Sequence, residues 1–377
     1  MRKRLPTQKL TIYEVADEAG VSIASVSRVL HGKDGVSDAT RERIRGAMHE
    51  LGYVPSGAAR GLASKRLGVI GLIFPDLDDP SAESGHETLL YSDEVIRGAE
   101  RAARAQGRAI LIAATHSTSA RELALSVAGR VDALVVMARS VREADVRMLA
   151  DRVPTVLLAG GRRLKGTDYV GVDNVGGARA ATQHLLEHGF EDIAFMGGPA
   201  NSPDARARFA GFREALAAAG LEAPDRPEVH GNFTERGGAA AMDELLRLRP
   251  RPPRAVVVGN DQMAVGAGAF LAETGLSVPE DVALTGFDDI QLARYVTPPL
   301  TTVRQPMRRL GEECVRLLLR RLDDPEAVPQ TVELATELVV RQSCGCPADR
   351  SESVIDEPAI RPLASGGPAV RPKAPVP

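Results

Sequence analysis

Apolar side chains in residues 11–30, TIYEVADEAGVSIASVSRVL, recur three and four positions apart, the period of two short helices around a tight turn. Ile12, Val15, Ala16 and Ala19 share one face of the first helix. Thr11 and Glu14 have the spacing of a capping box, which satisfies orphan donors at a helix start. Gly20 gives the turn its backbone freedom. Ser22 is placed to cap the second helix, which turns Val26, Val29 and Leu30 inward. A third helix follows, with Ser37 as its N-cap and Ile44, Ala47, Met48 and Leu51 facing the pair. Pro55 closes this unit, residues 1–55. The next stretch, SGAARGLASKR at 56–66, is alanine-rich and broken by Gly57 and Gly61. Helices below about 12 residues are marginal in water, and each glycine lowers propensity by about 1 kcal/mol. Residues 56–66 are therefore expected to be a hinge that is disordered alone and becomes helical only when something orders it.

From Leu67 the period changes. Short continuous apolar runs appear at 67–74, 109–114, 133–137, 155–159, 169–172, 193–198, 255–259 and 282–287. Amphipathic stretches lie between them, for example 92–106, 174–188, 206–219, 261–275 and 307–321. Such alternation predicts buried parallel strands with crossover helices, an α/β core with strands enough for two sheets. Two parallel α/β lobes bind ligands in the crevice at the carboxyl ends of their strands. The core is expected over 67–346. One lobe takes about 67–172 and 304–331, and the other about 173–303 and 332–342. The remainder, 347–377, is rich in Pro, Ser and Gly without an apolar period and is expected to be a disordered tail.

At 377 residues, 44% of them hydrophobic, the chain has material for two or three domains. No run approaches the roughly 18 apolar residues of a membrane span. The basic start MRKRLPTQKL has no apolar segment behind it, so a signal peptide is not expected. Three cysteines, an odd and sparse set, fit a reducing cytoplasm better than a disulfide scaffold. Charge changes the picture of the first unit. Residues 1–66 hold 12 Lys and Arg against 7 Asp and Glu, a net of +5, whereas the remainder holds 35 against 43, a net of −8. Positive charge gathered at one end of an acidic chain is the footprint of a nucleic-acid-binding head. The second helix leaves Ile23, Ala24, Ser25, Ser27 and Arg28 outward, and small apolar groups beside one arginine suit base edges in a major groove. An ordinary helical hairpin has the same apolar period; the charge favours a DNA-binding helix-turn-helix.

Other candidate chemistry is thin. His184 and His188 stand four apart on a helix, a zinc-like spacing, but no third ligand is evident and a surface pair is the expectation. Cys344-Gly345-Cys346 lacks a partner pair for structural zinc. Asp76, Asp78, Asp79, Glu83 and Glu87 crowd an extension at 76–94 that fits no calcium loop and is expected to be a solvated acidic loop. No phosphate-binding glycine loop and no catalytic triad stands out. Neither a cofactor nor a metal is expected.

The head segments TIYEVADEAGVSIASVSRVL and VSDATRERIRGAMHELGYVPS, with RARFAGF (206–212), GNDQMAVGA (259–267), LTGFDD (284–289) and PPLTTVRQP (298–306), resemble the LacI/GalR family of bacterial transcriptional regulators in order and spacing. The resemblance covers residues 11 to about 342. It implies a cytoplasmic homodimer whose two heads read a pseudo-palindromic operator in double-stranded DNA. Ile23, Ala24 and Arg28 would read bases, and Thr11, Tyr13, Ser22, Ser27, Ser37, Thr40 and Tyr53 would contact phosphates. Leu62 would wedge into the minor groove, its alternative being a plain linker leucine. The core is similar to periplasmic sugar-binding proteins. There Arg208 and Asp288 would reach the effector and Phe233 would form an aromatic wall, although Arg208 and Asp288 could instead form an interlobe salt bridge. Asn260 and Asp261 would line the cleft or cap the helix starting near Gln262. The 76–94 extension departs from the family pattern, so effector contacts there are not carried over. The implied function is a repressor of carbohydrate-utilisation genes released by a small sugar, with no enzymatic activity. The alternatives are a corepressor-dependent regulator sensing another metabolite, or a solute-binding protein without DNA function. The tail has no leucine heptads, which favours a dimer over a tetramer.

Overall fold

The computed structural model describes residues 10–30, 33–53, 66–75, 89–115, 119–161 and 164–347. Two compact units are present: Met1–Val69 with Arg130–Asp132, and Ile70–Gly129 with Ala133–Pro377. The first contains α1 (Ile12–Glu18), α2 (Ile23–Leu30) and α3 (Asp38–Leu51). At the start of α1 the Glu14 carboxylate accepts the Thr11 backbone N–H at 2.6 Å. Ser22 Oγ accepts the Ser25 N–H at 3.2 Å, and Ser37 Oγ caps α3 through the Thr40 N–H. Val15, Ala16, Ala19, Val26, Ile44 and Ala47 form the core of this head. Arg41 is an internal tie: its guanidinium donates to the Lys33 and Val36 carbonyls and fixes the turn before α3. At the start of the next described segment, Asp132 accepts the Leu67 and Gly68 N–H groups at 2.6 and 2.8 Å. Residues 54–65, and Leu62 with them, lie outside the described residues, as do 76–88 and 348–377.

The second unit begins with β1 (Val69–Pro75), α4 (Leu89–Ala105), β2 (Ala109–Thr115), α5 (Ala120–Ala128), β3 (Ala133–Met137), α6 (Glu143–Ala150), β4 (Thr155–Leu158) and β5 (Asp168–Val172). The chain then crosses into a second lobe with α7 (Asn174–Glu187), β6 (Ile193–Gly197), α8 (Pro203–Ala218), β7 (Val229–His230), α9 (Glu235–Leu248), β8 (Ala255–Val258), α10 (Asp261–Glu273) and β9 (Ala283–Thr285). It returns through β10 (Thr302–Arg304) to α11 (Met307–Asp323) and β11 (Thr331–Leu334), and crosses once more through β12 (Glu337–Val339).

The first sheet has six strands in the order β11-β5-β4-β3-β1-β2, and the second four in the order β7-β6-β8-β9. The pairs β1–β3, β3–β4, β4–β5, β5–β11, β6–β7, β6–β8 and β8–β9 are parallel. Every residue of β4, β5, β6 and β8 is buried, which is why these strands read as continuous apolar runs. β10 and β12 pair antiparallel and carry two of the three lobe crossings.

One boundary moves. β11 pairs with β5, Thr331 beside Tyr169, so the first lobe extends through Leu334 and does not end at 331. The segment TVEL is an edge strand with alternating exposure, so it lacked the continuous apolar signature used to find the others. α8 starts at Pro203, three residues ahead of expectation. Ser202 Oγ caps it, and proline suits the first helical position because that N–H has no helical partner.

α4 and α11 touch backbone to backbone. A Cβ on Gly98 would come within 1.8 Å of the Arg308 carbonyl oxygen, and one on Gly311 within 2.1 Å of the Val95 oxygen. Gly98→Ala should therefore separate the helices and cost about 1–3 kcal/mol despite the better helix propensity of alanine. Thermal and urea unfolding measure this; unchanged or raised stability would show that the contact gives way easily.

Candidate functional site

A cavity of about 350 Å³ lies within the second unit. Its walls come from the carboxyl ends of strands in both lobes: Pro75 of β1, Met137 of β3, Leu158 of β4, Val172 of β5, and Asn260 just after β8. The volume falls in the usual range for small-molecule sites.

Arg208, on α8, lines this cavity and is held by several neighbours. Nε donates to Asn174 Oδ1 at 2.9 Å, and Nη1 donates to the Gly259 carbonyl at 2.6 Å. Nη1 also lies 3.5 Å from Asp288 Oδ1, and both side chains are more than nine-tenths buried. The guanidinium sits 3.8 Å above the Phe287 ring and 6.0 Å from Phe233. Gln305 Nε2 donates to Asp288 Oδ1 at 2.5 Å. Burial pushes the Asp288 carboxyl above the usual carboxylate range, while Arg208 and hydrogen bonds from Gln305 and Asn260 pull it back. Arg208 and Asp288 thus pair, as in the alternative weighed for them, but within the second lobe and not between lobes, and both line the cavity.

Asn260 does both of the things weighed for it. Its Oδ1 accepts the Met263 N–H and caps α10, while its Nδ2 donates to the Phe233 carbonyl at the cavity wall. Asp261 is turned away, accepting from the Thr302 hydroxyl and the Ile290 N–H. Burial and the nearby Asp288 hold its carboxyl well above the ordinary range.

Sequence reasoning missed several groups here. Asn174 bridges Arg208 to Asp204, donating to Asp204 Oδ1 at 3.0 Å. Gln262 lines the cavity, and its buried Nε2 has no hydrogen-bond partner among the described residues. Tyr91, from the 76–94 extension, also lines the wall, and burial raises its hydroxyl pKa. A positional signal was hidden in the backbone. Five described non-glycine residues have positive φ, and four of them, Arg139, Ala159, Phe233 and Asp288, line this cavity. Such strain gathers where a ligand site over-determines the chain.

In the first unit Ile23, Ala24 and Arg28 are all exposed on α2, with Ile23 at 42%. Thr11, Tyr13, Ser22 and Ser37 are exposed; Ser27, Thr40 and Tyr53 are half-buried, Tyr53 against the head core. One expectation is corrected. Cys344 and Cys346 do have partners, because the fold brings His184 and His188 beside them. No described helix is long and apolar enough to cross a membrane.

Residues 11–56 match the lacI family of bacterial regulatory proteins, and 182–344 match the periplasmic binding protein-like domain. The ribose operon repressor of Escherichia coli (strain K12) is 34% identical over 338 residues, 88% of this chain and 99% of that protein. The structure of the transcriptional regulator CelR in complex with cellobiose is 35% identical, with a TM-score of 0.66 over 89% of this chain and 99% of its own. The lac repressor dimer bound to operator and the anti-inducer ONPF is 27% identical, with a TM-score of 0.75 and the same coverage of both chains.

Breaking the buried Arg208–Asp288 pair from one side strands a charge. Arg208→Ala should lower the unfolding free energy by about 3–5 kcal/mol, and adding Asp288→Ala should return part of it. Urea unfolding of the singles and the double gives the coupling; strictly additive losses would mean that the two side chains act independently.

Proposed function

The chain belongs to the LacI family of bacterial regulatory proteins, and from that premise we propose a sequence-specific transcription repressor released from its operator by a small carbohydrate. The observation that carries this reading is the cavity with Arg208, Asp288 and Phe233 on its walls. Arginine and carboxylate forks grip neighbouring hydroxyls, and an aromatic face covers the apolar side of a sugar ring. Gln262 also lines the cavity. Relatives named for ribose and cellobiose support the same ligand class.

At the other end of the chain, Arg28 makes two hydrogen bonds to a guanine edge, and Ile23 and Ala24 give apolar contact, for example to a thymine methyl. Thr11, Tyr13, Ser22, Ser27, Ser37, Thr40 and Tyr53 hold phosphates and so fix the register of the head on the duplex. Leu62 wedges between base pairs in the minor groove, trading a few kcal/mol of unstacking for a bend that covers more protein. Two chains act together on a pseudo-palindromic site. β2 supports a self-interface: it is an edge strand, Ile112 is 45% exposed, and Ile110 and Leu111 are half-buried. The chain works in the cytoplasm and binds its ligand without turning it over.

Effector occupancy closes the lobes and shifts the two hinges, so that their ordering on DNA becomes unfavourable. The experiment is to select operator sites for the purified protein from genomic DNA and then to measure binding. Arg28→Ala should lose about 1–3 kcal/mol of base discrimination while retaining weak, salt-sensitive binding; retained sequence preference would overturn the base-reading role. Asp288→Ala should bind operator normally but respond weakly to the carbohydrate. A normal response would move the effector contact elsewhere.

A further inference from the structure

Outside the cleft, four side chains from two distant parts of the chain converge on one point. His184 lies in the last turn of α7 and His188 is the residue that caps its C-terminus, and Cys344 and Cys346 flank Gly345 in the turn that follows β12. Gly345 has φ +95°, a conformation that glycine adopts readily. His184 Nε2 is 3.2 Å from Cys344 Sγ and 3.7 Å from Cys346 Sγ; His188 Nε2 is 3.1 Å from Cys346 Sγ. All four donor atoms lie within 4.8 Å of one another.

A tetrahedral zinc site has bonds of about 2.3 Å to sulfur and about 2.0–2.1 Å to nitrogen, which sets its donor atoms roughly 3.3–3.8 Å apart. The three nitrogen–sulfur distances match that spacing within a few tenths of an ångström. Separate thiol–imidazole hydrogen bonds account for the geometry less well. A ring nitrogen has one proton or one lone pair, yet His184 Nε2 faces both sulfurs.

The surroundings of Cys344 suit a thiolate, the form that ligates. Thr301 Oγ1 accepts the Arg341 backbone N–H at 2.8 Å and lies 3.1 Å from Cys344 Sγ, so its own proton is directed at the sulfur. A protonated Cys344 would instead donate to the Arg341 carbonyl, 3.5 Å away. Phe190 stacks on His188 at 6.2 Å and restrains the more exposed ring. Both cysteines are buried, and exposed His188 leaves a path for an ion.

We propose that His184, His188, Cys344 and Cys346 form a closed Cys2His2 site for a zinc ion, which staples the segment after the third crossing to the first helix of the second lobe. Four protein ligands leave no open position, so the ion's role is structural. Zinc takes the thiols as thiolates and releases their protons to solvent. The staple acts where Ser343 also anchors, its hydroxyl accepting the Thr301 N–H and donating to the Leu284 carbonyl. The proposal stands apart from the sugar reading, since none of its ligands lines the cleft.

The test uses the full chain, purified under reducing conditions, with zinc and cobalt(II) as probes. Elemental analysis after dialysis should find one zinc per chain. Cobalt(II) replacing it should show the intense visible bands of a tetrahedral ion and a thiolate charge-transfer band in the near ultraviolet. His188→Ala, at an exposed position, should fold normally and weaken zinc binding about tenfold or more. Cys344→Ser with Cys346→Ser should abolish the charge-transfer band. Wild-type protein without stoichiometric zinc, an octahedral cobalt spectrum, or unchanged affinity in His188→Ala would each overturn the proposal.

Discussion

A guanidinium and a carboxylate taken out of water together must be held on every side, and the architecture of the core follows from meeting that demand at Arg208 and Asp288. α8 presents the arginine, the start of α7 supplies Asn174, the end of β8 supplies the Gly259 carbonyl, and Phe287 covers the cation. Asp288 lies beside a crossing, where its backbone bridges to Arg304 of β10. Its neighbour Asp289 binds Arg304 at 2.7 Å and Arg341 at 2.5 Å, so the residue after the cavity carboxylate ties the β10 crossing to the segment beyond β12. A ligand that donates hydrogen bonds to Asp288 therefore acts one residue away from the ties between crossings. Coupling of this kind is typically worth about 1–3 kcal/mol, enough to change occupancy at a second site about 5–150-fold.

Much of the fold was legible because its signals are local. Val15, Ala16, Val26 and Ile44 carry a helical period, and all are buried in the head. The strands at 133–137, 155–159 and 255–259 are apolar throughout because both faces are covered. β7, β10 and β12 escaped notice because they are two or three residues long. The role of Arg41 was not legible, because the carbonyls it satisfies belong to a turn whose shape its sequence does not announce.

The cavity was legible in its charged pair and not in its supports. Asp204 fell ahead of the expected helix start, and the structure puts it in the first turn of α8, a common placement for an acid that needs no ligand to explain it. Its contact with Asn174 spans 30 positions. The histidine–cysteine cluster shows the same limit more sharply. Each pair looked incomplete alone, and the contacts that unite them span about 160 residues. Only the packing of the turn after β12 against α7 brings them together.

The claim at the centre is that one ligand, held by the buried pair, sets the grip of the head on DNA. The most direct measurement is operator affinity of the purified protein at fixed salt, with and without a saturating carbohydrate that titrates into the cleft. The account predicts about 5–150-fold weaker operator binding with the ligand bound. Affinity that is unchanged or tightened at saturation would contradict it.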